Sequence, residues 1–473
     1  MRVTYARTPA LALCALVALF AAGTAGAETT PIPAAAGTAI AASPAAAAAG
    51  AGPVTLEKAR SLALAASSTL QRALLDVDAA RLTEKTQSYS VLPSLSASAG
   101  AALDYPTGSK ALIDGLTTSV GLSATATLYD GGKSAILSAI DSIATDIARA
   151  SARSTYFTVL EDCDDAFYGV LESAASVQAA RDALDAARAH QDLAQARFDV
   201  GIITRGDLLE IQAETASDES ALATALKDLA VAKAKLASLT GLSTGAALEG
   251  VDETYYDALM ARFAGLSDTQ VDGLAAKLVA IAEKNSPSLA QARLASGKAQ
   301  RSVDAARADY LPSVATSWSQ SLSYGRSAGS LAGSLAGSGS LGLTATIPLD
   351  WWTTKTAVDS AAVAARQAGL DLAETGRGLD LDLRSAVYDC IALAQAFASS
   401  SKAQSYAQSH YDGVLEQYKL SSASSSDLSD AEALLSSDKT LLIKARYEFL
   451  VGLSSLRSLV ASESDDLIVT AIP

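Results

Sequence analysis

The stretch Arg197-Phe198-Asp199-Val200-Gly201-Ile202-Ile203-Thr204-Arg205-Gly206-Asp207 interrupts a long alanine-rich, helix-favouring run, and the chain contains it twice. Shifted by 220 positions, it falls on Gln417-Tyr418-Lys419-Leu420-Ser421-Ser422-Ala423-Ser424-Ser425-Ser426-Asp427. In each copy an aromatic (Phe198, Tyr418) stands nine residues before an Asp-Leu pair (Asp207-Leu208, Asp427-Leu428). Helical arms flank both, so each reads as the tip of a helical hairpin. For 473 residues, length alone suggests several domains; a repeat of this period revises that to two copies of one half.

Working outward from the first tip, residues 133–199 hold no proline and almost no glycine. As one helix they would extend roughly 100 Å at about 1.5 Å per residue, more than a compact globule accommodates. Past Val200–Gly206, a return arm to Thr240 carries Leu222, Leu226, Leu229, Leu236 and Leu239 in a coiled-coil-like seam. Residues 54–91 are helical in pattern, with Leu56, Leu62, Leu70, Leu74 and Leu75 recurring at helical spacing. Between these helices the period drops to two. Val120, Leu122, Ala124, Ala126 and Leu128 alternate with small or polar residues, and 94–105 alternates more weakly, so 94–129 reads as a β-hairpin.

The second half repeats this plan. Helix 271–310 leads to Leu311-Pro312-Ser313-Val314, which echoes Leu92-Pro93-Ser94-Leu95. A hairpin at 313–349 follows, with strands 313–324 and 340–349 around a Gly/Ser loop 325–339, and Asp350-Trp351-Trp352 replaces the turn Asp130-Gly131-Gly132. A long helix 353–418 reaches the second tip. In the return arm 428–460, Leu442, Phe449, Leu456 and Leu459 keep the seam while Arg446 replaces Leu226. The expected division is a signal peptide at 1–27, a flexible Ala/Pro-rich leader at 28–53 and a first repeat at 54–240. An irregular insert at 241–270, a second repeat at 271–460 and a tail at 461–473 complete it.

The signal peptide rests on Arg2 and Arg7, the apolar Leu11–Ala22 and the small-x-small site Ala25-Gly26-Ala27; Cys14 follows Leu13, which favours simple cleavage over lipid attachment. Cleavage removes two positive charges and no acid, taking the formal net charge from −15 to −17. That acidity argues against nucleic-acid binding, which needs a basic footprint. Two cysteines remain, Cys163 and Cys390; they are not repeat-equivalent and make no disulfide scaffold. After the signal, no stretch offers the ~20 consecutive apolar residues of a spanning helix, so any membrane crossing falls to the strands.

Four strands with one apolar face cannot close a transmembrane barrel, which needs about eight, and open sheet edges are forbidden in lipid. The hairpins therefore either bury themselves in a soluble sandwich or share a barrel with copies of the chain; three chains would give twelve strands. Trp318, Trp351 and Trp352 lie on or beside strands, and Tyr105, Tyr129 and Tyr324 at strand ends, where a membrane-interface girdle would be, although aromatics also simply favour strands.

The order helix, hairpin, long helix, tip, return helix, given twice, resembles the TolC family of outer-membrane efflux ducts. So do Leu92-Pro93-Ser94, Leu128-Tyr129-Asp130-Gly131-Gly132, and Val200-Gly201-Ile202-Ile203-Thr204 leading to Asp207-Leu208-Leu209. The resemblance implies a mainly α fold with a small β part: long helical hairpins forming a periplasmic helical barrel, plus four strands contributed to a trimeric twelve-stranded barrel in outer-membrane lipid. It also implies a passive conduit, whose tips engage a periplasmic adaptor (membrane fusion) protein coupled to an inner-membrane pump or ABC-type transporter.

Carried onto this sequence, the family's docking surface maps to Val200, Gly201, Ile202, Ile203 and Thr204 and to Leu420, Ser421, Ser422, Ala423 and Ser424. Its pore constriction maps to Asp427 and Asp430, where three chains would set six carboxylates around a narrow opening. Against this, Gly201 suits any tight turn, and Asp427 and Asp430 suit the start of a helix, as Asp207 and Glu210 do in copy one. His190 and His410, the two histidines, are also separated by 220; a pH- or metal-sensing role and simple ancestry both remain open. Glu161-Asp162-Cys163-Asp164-Asp165 reads as a solvated helix face rather than a metal site. No catalytic, metal-ligand or cofactor-binding motif stands out, so the chain is expected to be no enzyme and to carry no cofactor. A reading of another class is a secreted coiled-coil structural or adhesive protein with soluble hairpins.

Overall fold

A computed structural model describes residues 53–104, 115–327, 334–420 and 422–472. The proposed signal peptide and leader up to residue 52, Tyr105 and Ser421 lie outside the described residues. The chain divides into two compact units. Elements are α1 (Leu56–Ala66), α2 (Ser68–Tyr89), β1 (Ser94–Asp104), β2 (Gly115–Tyr129), α3 (Lys133–Asp199), α4 (Arg205–Thr240), α5 (Glu253–Ala264), α6 (Asp268–Asn285) and α7 (Pro287–Ala308). They continue with β3 (Ser313–Ser327), β4 (Ser334–Thr346), α8 (Trp351–Lys419), α9 (Ser425–Val460) and α10 (Asp466–Ala471). The long uninterrupted helices are present: α3 has 67 residues and α8 has 69.

One unit holds an antiparallel sheet in the order β1-β2-β3-β4. Its register sorts the residues by face, because side chains alternate along each strand. Leu95 lies opposite Ala124, which lies opposite Trp318, which lies opposite Leu341. Ala97, Leu122 and Gln320 form the next row on that face, followed by Ala99, Val120, Leu322 and Gly337. The opposite face is hydroxyl-rich. Ser96 meets Ser123 at 2.7 Å, Ser94 meets Thr125 at 2.6 Å, Ser319 meets Ser340 at 2.9 Å and Ser321 meets Ser338 at 2.8 Å. These ladders correct the expected loop at 325–339. Strand β3 continues to Ser327 and β4 starts at Ser334, since small residues and paired hydroxyls fit a pleated surface as well as β-branched ones do. Conversely, Ile347–Leu349 form no strand, and Trp351 and Trp352 begin helix α8 rather than a turn.

The turn into α3 depends on a glycine. Gly131 has φ +69°, and a Cβ there would lie 2.8 Å from Leu311 Cβ and 3.0 Å from the Ala308 carbonyl. Asp130 seats the turn by accepting from the Gly132 and Ser134 amides at 3.1 and 2.7 Å, and Lys133 pairs with Asp309 at 2.6 Å.

The other unit contains the main core. Phe167 and Tyr168 of α3, Leu383, Val387 and Cys390 of α8, and Phe449, Leu450, Leu453 and Leu456 of α9 are buried there. The insert at 241–270 is not irregular throughout: α5 lies within it and sends Leu259, Met260 and Phe263 into this core, with Phe263 edge-on to Phe449 at 5.6 Å. The tail likewise forms α10, burying Ile468. Both segments are too short to show a clear helical period, and tertiary burial stabilises them instead.

The acidic cluster is corrected as well. Asp164 is fully buried rather than solvated, its carboxylate taking Arg60 Nε at 2.6 Å and Nη2 at 3.0 Å, Ser454 Oγ at 2.7 Å, and Arg457. One carboxylate thus joins α1, α3 and α9. Cys163 and Cys390 are free and buried, and burial pushes each thiol up to about 12.

Candidate functional site

The two hairpin tips share one closing backbone hydrogen bond, made by different residues. In copy one, α3 ends at Asp199 and Gly201 turns the chain with φ +77°. The Gly201 amide donates to the Phe198 carbonyl and the Ile202 amide to the Arg197 carbonyl, both at 2.9 Å. A left-handed residue and this six-residue closing bond are how a helix satisfies its last carbonyls. In copy two, the Ser422 amide donates to the Gln417 carbonyl at 2.9 Å, the equivalent bond, and Ser422 Oγ adds a second at 3.0 Å.

Each return helix then starts with a capping box. Thr204 Oγ1 accepts from the Asp207 amide at 3.2 Å while Asp207 Oδ2 accepts from the Thr204 amide at 2.9 Å. Ser424 and Asp427 repeat this at 3.1 and 2.9 Å. The caps proper are therefore Thr204 and Ser424, and Asp207 and Asp427 are their reciprocal partners one turn in. Hydrogen bonds from Ser424 hold the exposed Asp427 carboxyl below its ordinary range. Asp430 is exposed on the same helix.

Around the turns, Val200, Ile202 and Leu420 are exposed apolar side chains, at 70%, 61% and 79%. Gly201, Thr204, Ser422 and Ser424 are exposed too, while Ile203 and Ala423 are half-buried. Ile203 packs with Phe198 over Ala194, Leu208 and Ile211. Among the girdle aromatics, Tyr129, Trp318, Trp351 and Trp352 are exposed and Tyr324 is half-buried.

The two hairpins are joined across the repeat by contacts that sequence reading did not bring together. The Arg197 guanidinium lies 4.1 Å from the centroid of the buried Tyr418 ring and donates to the carbonyls of Tyr418 at 2.5 Å and Lys419 at 3.3 Å. It thereby supplies positive charge to the carboxyl end of α8. Its repeat-equivalent is Gln417, so this tie exists in one direction only. His190 is buried, with Nδ1 2.7 Å from Glu432 Oε2 and Nε2 3.4 Å from the Tyr411 hydroxyl, whereas His410 is exposed. Ser429 donates to Glu214. An equal spacing from each tip aromatic could not reveal that only one histidine faces its neighbour hairpin.

The duplicated hairpins, the four-stranded sheet and the paired tips match a known family model, that of the outer membrane efflux proteins, over residues 59–242 and 278–462. The chain belongs to the outer membrane efflux protein family. It is an outer-membrane efflux channel of the TolC type, and the alternative of a secreted adhesive protein is not favoured. Solved structures share the fold. CusC, described as forming a transmembrane channel, is 17% identical, with 86% of this chain and 92% of that one covered at a TM-score of 0.71. The Campylobacter jejuni CmeC outer membrane channel is 16% identical, covering 88% of each chain at 0.68. The outer membrane protein VceC from Vibrio cholerae is 16% identical, covering 86% of this chain and 96% of that one at 0.68. No curated protein matches the sequence. No helix among the described residues is long and apolar enough to cross a membrane.

Proposed function

We propose that this efflux channel is a homotrimeric exit duct, passive and without chemistry of its own. The observation that carries the trimer is the sheet: four strands with an apolar face exposing Leu95, Leu341 and Leu343, and with outer edges on β1 and β4 that pair with no other strand among the described residues. Lipid does not tolerate such edges, so closure needs further copies, and three of them supply twelve strands. The exposed aromatics Tyr129, Trp318, Trp351 and Trp352, with Tyr324, suit the membrane interface, as would Tyr105 outside the described residues.

In this reading Val200, Gly201, Ile202, Ile203 and Thr204, with Leu420, Ser421, Ser422, Ala423 and Ser424, meet a periplasmic adaptor. The exposed Val200, Ile202 and Leu420 provide apolar anchors for it, and energy comes from an inner-membrane pump or ABC-type transporter. Asp427 and Asp430 form the constriction. Asp427's place in a capping box does not oppose this, since its exposed carboxylate is held ionised there.

Electron microscopy of the detergent-extracted protein tests the assembly: a three-fold ring of twelve strands is expected, and a freely soluble monomer would remove the proposal. In planar bilayers, Asp427→Asn with Asp430→Asn should raise single-channel conductance. An unchanged conductance would place the constriction elsewhere.

A further inference from the structure

Between the two hairpins, near the tips, ionisable groups from four helices face one another. α3 contributes His190, α4 contributes Glu214 and Asp218, α8 contributes Tyr411, with Asp412 beside it, and α9 contributes Glu432. His190, Glu214 and Glu432 line a cavity of about 10 Å³ together with Thr215 and Ser429, room for a single water. Glu432 Oε2 is taken by His190, while its Oε1 is buried with no hydrogen-bond partner. The cluster therefore sets the carboxylates of Glu214, Asp218 and Glu432, with Asp412 at its edge, against one imidazole, with no lysine or arginine among these groups.

We propose that this cluster is an acid-set clasp: seating α9 against α3 and α4 takes up protons, so the tips hold together in mild acid and loosen as pH rises. The inference rests on the exit-duct reading, in which the tips carry the constriction.

The sign follows from the surroundings. Burial, then Glu432 and Asp218, raise the Glu214 carboxyl above its ordinary value against the hydrogen bond from Ser429 and the attraction of His190; burial, then Glu432, raises Asp218. With the helices apart, both carboxylates return to water and to ordinary values of about 4. The seated form thus binds more protons. Its advantage is fully present below those ordinary values and is lost as pH rises through the raised ones. Linkage gives about ten-fold in the seated-to-loosened ratio per pH unit for each proton released.

Hydrogen–deuterium exchange of the full chain in detergent tests this, read at residues 425–435 between about pH 4.5 and pH 8 and corrected for intrinsic exchange rates. Protection should fall with pH in the native protein. Glu214→Gln should flatten the profile, Ser429→Ala should move it to higher pH by removing the donor that favours ionised Glu214, and the exposed Glu219→Gln should leave it unchanged. Protection independent of pH in the native protein, or an unaltered profile in Glu214→Gln, overturns the clasp. Bilayer conductance over the same pH range separates the two readings: if exchange responds and conductance does not, the clasp stands and the tips are not the gate.

Discussion

Replacing Asp164 by Asn is the sharpest probe of how the helical unit is held. The carboxylate is fully buried and its partners nearly so, the Arg457 side chain at 4% exposure and Arg60 at 17%. Asparagine keeps the shape but turns one acceptor into a donor facing a guanidinium, and it leaves two buried cations without the charge they share. Breaking a buried pair in this way costs about 3–5 kcal/mol, because the remaining charge stays desolvated. Of the two arginines, Arg457 has Asp465 within 3.5 Å as a second carboxylate, which places the loss toward the lower end. The measurement is the urea midpoint of helix loss by circular dichroism in detergent, with an unchanged slope as the check on two-state behaviour. Adding Arg457→Met to Asp164→Asn should recover part of the loss, giving a coupling of about 1–3 kcal/mol in a double-mutant cycle. A single-mutant loss below about 1 kcal/mol, with no coupling, would refute the view that this carboxylate staples α1, α3 and α9.

Asp165, one position on, behaves oppositely: burial and then Glu161 push its carboxyl up to about 6, so its ionisation opposes the fold, and stability is lost as pH rises through that value. Asp165→Asn should therefore stabilise near neutral pH by about 1 kcal/mol once its half-exposed position is discounted for screening, and by nothing near pH 4; equal gains at both pH values would count against this. Gly131→Ala should destabilise the sheet unit by about 2–4 kcal/mol, combining a left-handed backbone with a clash against Leu311, as read by heat resistance of the assembled protein in detergent. Thr204→Ala and Ser424→Ala should each weaken a return helix by about 1 kcal/mol, visible as faster local amide exchange at the tips. Arg197→Ala should speed exchange at the carboxyl end of α8 more than at that of α3, because the tie to Tyr418 has no counterpart in the other direction.

Much of the fold is readable because it is periodic. The 220-residue offset, the change from period 3.6 to period 2, and the breaks at Pro93 and Pro312 are all local signals. They mark the two hairpins and the long helices. What escaped is long-range or context-dependent. Asp164 sits among three other acids and a cysteine and looks solvated until Arg60 and Arg457, 104 and 293 positions away, are folded against it. Helix α5 carries few turns and owes its existence to the core beneath Phe263. At the tips, Thr204-x-x-Asp207 and Ser424-x-x-Asp427 carry the capping-box pattern in the sequence itself, with the cap at Thr204 and Ser424 and the aspartates as partners. Identical spacing of His190 and His410 said nothing of which one is buried.

The hydroxyl face of the sheet has a consequence for transport. Apart from Asp104 and Arg326, at the far ends of the hairpins, the four strands carry no ionisable side chain except the tyrosines Tyr129 and Tyr324. A wall of serine and threonine hydroxyls donates and accepts with equal ease, so it offers anions and cations the same reception. If that face lines the bore, as the exit-duct reading proposes, sorting of cargo by charge falls mainly to the acidic helical part of the chain.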